Sequence, residues 1–77
     1  MLIQYDKEAD AIYIKLKRGK YAYGRELDDL RRIDYDAKDH PIGIELLCVS
    51  RGIDTMDLPR RREIDELLAE QSFKVLV

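Results

Sequence analysis

Apolar side chains recur at every second position in three stretches of this chain: Ile12, Ile14 and Leu16, then Ile33 and Tyr35, then Ile42, Ile44 and Leu46. Successive side chains on a strand point to opposite faces, so this period builds strands with one greasy side. Past residue 60 the interval changes. Ile64, Leu67 and Leu68 fall at i, i+3 and i+4, the spacing of one helical face, with Arg61, Arg62, Asp65, Glu66 and Glu70 on the other side. A chain in which period 2 gives way once to period 3.6 is confined to a sheet and one helix, the α+β class.

The expected layout is a single domain over residues 1–77. Residues 1–50 form an antiparallel β-meander of four or five strands, residues 51–59 a connection, residues 60–71 a C-terminal amphipathic helix packed on one face of the sheet, and residues 73–77 an edge strand of this sheet or of a partner's. Asp6, Lys7, Glu8, Ala9 and Asp10 make a short polar hairpin turn in which Asp6 can accept bonds from the amides that follow it. Gly19 marks the next turn. Tyr21, Tyr23, Arg25 and Leu27 trace an imperfect strand in which Gly24 is the expected bend or bulge. Gly52 and Pro59 bracket the connection, from which Ile53, Met56 and Leu58 are expected to tuck into the core. Pro59 suits the first turn of the helix, with Asp57 as its N-cap.

Size bears on association. A chain of 77 residues hides only about 60% of the surface that its extended form exposes, and one cysteine cannot close an internal disulfide. A homodimer is therefore expected. Residues Phe73, Val75 and Val77 are the candidate dimer contacts, together with the sheet surface that one helix leaves bare. The 14 basic and 16 acidic residues leave a formal net charge of −2, so no overall field favours nucleic acid or an anionic membrane. No apolar run approaches the roughly 18 residues of a membrane span. A cytoplasmic protein with no membrane partner is the expectation.

The run from Tyr5 through Asp6, Ala9, Asp10 and Ala11 to Ile12, Tyr13 and Ile14, followed by Ile33, Asp34, Tyr35 and Asp36 and then by Ile42, Gly43, Ile44, Glu45, Leu46 and Leu47, resembles the domain-of-unknown-function 2283 family of small prokaryotic proteins. The likeness covers about the first two-thirds of the chain. Lys7 stands where proline is common in that family, and Leu30 and Arg31 fill a site often held by glycine. The resemblance implies a small β-sheet with a C-terminal helix. It implies no established activity and carries no catalytic or binding residue over to this chain.

The residues that could bear chemistry mostly have plainer uses. Asp6, Glu8 and Asp10 could act as paired carboxylates, but aspartates at strand ends commonly satisfy turn amides. Asp34, Asp36, Lys38 and Glu45 match four positions of a calcium-loop template. That template fails because a lysine occupies a ligand position, Asp39 replaces the required glycine and Pro41 opens a strand. Cys48 sits among Leu46, Leu47 and Val49, as an inert core thiol would, and His40 lies in a polar turn without a nucleophile in view. No catalytic residue, metal site or cofactor is assigned.

Two basic clusters stand out. Lys15, Lys17, Arg18 and Lys20 crowd one strand end near Tyr13, Tyr21 and Tyr23, while Arg60, Arg61 and Arg62 begin the helix, where its dipole disfavours cations. Both are candidate contacts for an anionic partner. Their plainer roles are a lysine-protected strand end and pairing with helix carboxylates. The leading functional expectation is a non-enzymatic interaction or accessory regulatory module with a protein partner. A nucleic-acid-binding, antitoxin-like regulator is the less favoured alternative and requires the two clusters to share a face. An enzyme using acidic residues near Asp6 and Asp34 ranks last.

Overall fold

The computed structural model describes residues 1–76. Five strands, β1 (Leu2–Asp6), β2 (Ala11–Lys15), β3 (Tyr23–Asp28), β4 (Arg31–Tyr35) and β5 (Pro41–Leu47), form one open antiparallel sheet, followed by a helix, α1 (Arg61–Glu70). The class, the strand count and the C-terminal helix agree with the alternation and the later helical spacing. The strand order is β1-β2-β5-β4-β3, so the meander proper runs only through β3, β4 and β5, and the β1–β2 hairpin docks on β5. The segment after β2 makes this order by running past the end of β5. Leu16 donates its N–H to the Ile42 carbonyl at 2.9 Å and Ala22 donates to the Tyr35 carbonyl at 2.9 Å, which delivers β3 to the far side of β4. Gly19 lies within this crossing.

β5 is central because it is the longest strand and the most buried: Ile42, Gly43, Ile44 and Leu46 are all shielded from solvent. Pro41 is tolerated as its first residue, beside a register shift at Asp34 and Tyr35. Ile12, Ile14, Leu16, Ile33, Ile44 and Leu46 face Ile64 and Leu68 of α1, and Ile64 and Leu68 are both 0% exposed. Burying a side chain of this size contributes about 1.5–3 kcal/mol. Leu67 is only half-buried, so the helix's apolar stripe is narrower than its spacing suggests. Ile53 and Leu58 reach the core as expected, whereas Met56 stays 54% exposed. Its backbone is used instead. Arg31, at the closed end of the β3–β4 hairpin, donates to the carbonyls of Asp54 (3.0 Å) and Met56 (2.7 Å) and pairs with Asp28, so it fastens the connection to the sheet.

Three local expectations change. The irregularity in β3 falls between Glu26 and Asp28, and Gly24 stays in register opposite Asp34. Asp57 does not cap the helix. Arg60 occupies the N-cap position in a left-handed conformation (φ 54°) with no side-chain cap bond, and Pro59 lies before the first turn. Cys48 is half-buried and left-handed (φ 53°), because it begins the 3₁₀ turn Val49–Arg51 while Val49 enters the core in its place.

Candidate interaction surface

The side of the sheet away from α1 has no covering layer among the described residues. Alternation places Leu2, Gln4 and Asp6 of β1, Tyr13 and Lys15 of β2, Glu45 and Leu47 of β5, and Arg32 and Asp34 of β4 on this open face, in the cross-strand rows set by the register. Its centre is a connected polar chain. The Tyr13 hydroxyl donates to Asp34 Oδ2 at 2.9 Å, Arg32 Nε donates to Asp34 Oδ1 at 3.3 Å, and Arg32 Nη2 donates to the Tyr21 hydroxyl at 2.6 Å. The Arg32 guanidinium also lies 6.0 Å from the Tyr21 ring centroid. Burial, followed by the Asp34 hydrogen bond, pushes the Tyr13 hydroxyl up to about 12.

Two glycines make room for this chain. A side chain on Gly43 would collide with the Tyr13 hydroxyl, and one on Gly24 would collide with the Arg32 guanidinium. The Tyr13 ring and the Arg32 fork thus lie flat on bare backbone. Beside them runs a shallow groove of about 420 Å³ with Gln4, Asp6, Tyr13, Glu45 and Leu47 in its walls. The arrangement offers a rigid aromatic surface with hydrogen-bonding groups and charges of both signs, suited to recognition.

The tyrosines divide between the two sides of the sheet. Tyr13 and Tyr21 belong to it. Tyr23 stacks on Tyr35 (centroids 5.1 Å apart) and Tyr5 meets Phe73 edge-on (5.0 Å) on the helix side. Tyr23 also donates to Asp39 at 2.6 Å, and this bond raises its pKa.

The turn carboxylates are engaged with backbone. Asp6 Oδ1 accepts the Ala9 N–H at 3.1 Å. Asp10 accepts both the N–H (2.9 Å) and the hydroxyl (2.6 Å) of Ser50, which ties the first hairpin to the end of β5. Asp36 Oδ1 accepts the amides of Lys38 and His40, both at 2.9 Å, and the His40 amide is the main cause of its lowered pKa. The residues of the calcium template diverge: Asp34 and Glu45 lie on the open face and Asp36 closes a turn. Among the described residues no group of three or more His, Cys, Asp or Glu side chains is disposed to hold a metal ion.

The basic clusters approach each other at one point. Arg60 Nη1 donates to the Leu16 carbonyl at 2.9 Å, which sets the start of α1 against the strand end that carries Lys15, Lys17 and Arg18, while Lys20 follows in the crossing segment. Arg60 also grips Glu63 through two nitrogens, which lowers the Glu63 pKa. Arg61 lies 3.8 Å from Asp65 and donates to Thr55 Oγ1 at 3.2 Å; Arg62 is exposed. Thr55, 0% exposed, in turn donates to Asp65 at 2.6 Å, a role that its sequence context does not signal.

Residues at the C-terminus do not lengthen the sheet. Val75 makes an isolated parallel bridge with Ile53, and both Phe73 and Val75 are half-buried against this chain's own core. The apolar pattern that suggests an edge strand is satisfied within the chain, Phe73 packing against Tyr5 of β1 and Val75 beside Ile53. Val77, the third candidate dimer contact, lies outside the described residues.

Among the described residues no helix is long and apolar enough to cross a membrane. Compared with known proteins, residues 2–50 match the model of a family described as "Protein of unknown function (DUF2283)". The matched span takes in all five strands and both Asp10 and Ser50, and it stops short of the connection and α1. No curated protein and no solved structure matches the chain.

Proposed function

The chain belongs to the DUF2283 family, a family described only as proteins of unknown function, and on that footing we propose that it is a non-enzymatic interaction module of accessory or regulatory kind that works as a homodimer. The observation that carries this reading is the fixed Tyr13–Asp34–Arg32–Tyr21 chain on a sheet face that the helix leaves open. The carboxylates nearest to being reactive, Asp6, Asp10, Asp34 and Asp36, are all engaged by turn amides, Ser50, Tyr13 or Arg32, which supports recognition over acid–base chemistry. The unpaired Cys48 accords with a reducing, cytoplasmic setting.

Affinity capture from native extract with the wild-type chain and with Glu45→Lys, an exposed charge reversal on the open face, tests the protein-partner part of this reading. A partner retained by the wild type and lost by the variant supports it. Recovery of the chain alone would contradict it.

A second reading, an anionic nucleic-acid partner, is favoured by the Arg60–Leu16 contact, which joins the two basic clusters at one rim. Gel-shift assay at low salt, where phosphate contacts are strongest, tests it. A shifted complex that Lys17→Glu with Arg18→Glu abolishes supports it, and no shift removes it.

A further inference from the structure

The two edges of the sheet are built differently. β3 carries an irregularity between Glu26 and Asp28 and exposes Arg25, Glu26 and Asp28, devices that discourage another strand from pairing there. β1 has no such irregularity, and its one charged residue, Asp6, stands at its end. It is paired in unbroken register with β2, reads Leu-Ile-Gln-Tyr-Asp, and leaves Leu2 55% and Tyr5 49% exposed. Among the described residues, β1 makes no backbone bond beyond its pairing with β2. Such an edge is a template for strand addition.

We propose that β1 pairs antiparallel with β1 of a second copy of this chain about a two-fold axis through Gln4, making one ten-stranded sheet. This rests on the homodimer reading above and names its contact. Centring on Gln4 is the register that pairs all five residues: Leu2 with the partner's Asp6, Ile3 with the partner's Tyr5, and Gln4 with the partner's Gln4. The sequence is complementary to itself in that register. On the helix side the core row Ile44, Ile14, Ile3 continues into the partner's Tyr5, the partner's Ile12 and the partner's Leu46. On the open face Lys15, Leu2, the partner's Asp6 and the partner's Ala11 fall in one row, with Lys15 and the partner's Asp6 flanking Leu2 as opposite charges. At the axis two neutral Gln4 side chains meet, each beside a Tyr13. A second copy therefore fits with apolar rows in line and charges matched. A five-residue strand pair is a small contact, so association at micromolar concentration is expected.

Crosslinking and mass test the contact. In a Cys48→Ser background, Gln4→Cys places two thiols across the axis at a cross-strand spacing that a disulfide can bridge, and mild oxidation should give a covalent dimer. Glu26→Cys on the opposite edge should not. Gln4→Lys, at an exposed position, should weaken the dimer by about two- to fivefold through like charges across the axis, with the far-UV spectrum unchanged. A dimer by light scattering that does not crosslink through residue 4, or that crosslinks through residue 26 instead, overturns the β1 contact and leaves the homodimer standing. A monomer at every concentration overturns both.

Discussion

The Tyr13 ring lies on Gly43, two neighbours on adjacent strands of the open face, so closely that a methyl group on Gly43 would collide with the tyrosine hydroxyl. The glycine sits in the most buried strand of the sheet, where its weak β-propensity is a disadvantage, and its use there is to let the ring lie flat. Gly43→Ala should therefore displace Tyr13 from Asp34 and destabilise the fold by about 1–3 kcal/mol, in the range for overpacking. Urea denaturation measures this, and a change below about 0.5 kcal/mol would show that the ring moves freely.

Tyr13 should ionise late. Its hydroxyl is raised to about 12 by burial and by the Asp34 carboxylate. A neutral form favoured in the folded state means that the folded chain keeps a proton that the unfolded chain loses near pH 10. This contribution to stability is whole below about pH 10 and disappears as the pH rises toward 12. Spectrophotometric titration should show a late tyrosinate step that Tyr13→Phe removes.

Asp10 and Ser50 join the first hairpin to the 3₁₀ turn that follows β5 by two hydrogen bonds, one from the amide and one from the hydroxyl. Asp10 is left-handed (φ 53°), a conformation that asparagine tolerates. Asp10→Asn thus removes the charge while sparing the backbone, and should cost about 1–2 kcal/mol; Ser50→Ala should cost about 0.5–1.5 kcal/mol. In a double-mutant cycle the double variant should lose less than the sum of the two single losses, since both substitutions affect the Ser50 hydroxyl bond to Asp10.

Helix packing gives a paired comparison. Leu68 is 0% exposed against the sheet while Leu67, its neighbour on the same predicted stripe, is half-buried. Leu68→Ala should cost about 2–5 kcal/mol and Leu67→Ala distinctly less. Equal losses in thermal denaturation would mean that the helix sits rotated from its described position.

Acid should weaken the fold through its turns and helix start. Asp28, Asp36 and Glu63 are all held below the ordinary carboxylate range: Asp28 mainly by the Arg31 side chain, Asp36 mainly by the His40 amide, and Glu63 mainly by the Arg60 side chain. A lowered folded-state pKa stabilises above the unfolded value and is lost as the pH falls through the folded one. Stability should hold above about pH 5 and decline below about pH 4, with Asp36→Asn flattening the decline.

The recurrence of Ile12, Ile14 and Leu16 and of Ile42, Ile44 and Leu46 at every second position makes the sheet's buried face legible in the sequence, and Ile64 and Leu68 do so for the helix. Strand order was not legible. Alternation fixes which way each side chain points but not which strands are neighbours, and the crossing past β5 depends on long-range bonds such as Leu16 to Ile42. Asp6 could be read as a turn residue from its position. The Tyr13–Asp34–Arg32–Tyr21 chain could not, because its members are up to 21 residues apart and meet only once β2 and β4 flank β5. Phe73 and Val75 read as an edge strand because aromatic and β-branched residues suit strands, yet Phe73 packs against Tyr5 and Val75 bridges Ile53.

The most direct measurement is the mass of the wild-type chain by light scattering over a dilution series through the micromolar range. A homodimer should give a value near twice the 9.1 kDa of one chain at the upper end, falling to that of one chain on dilution. A constant single-chain mass at every concentration would contradict it.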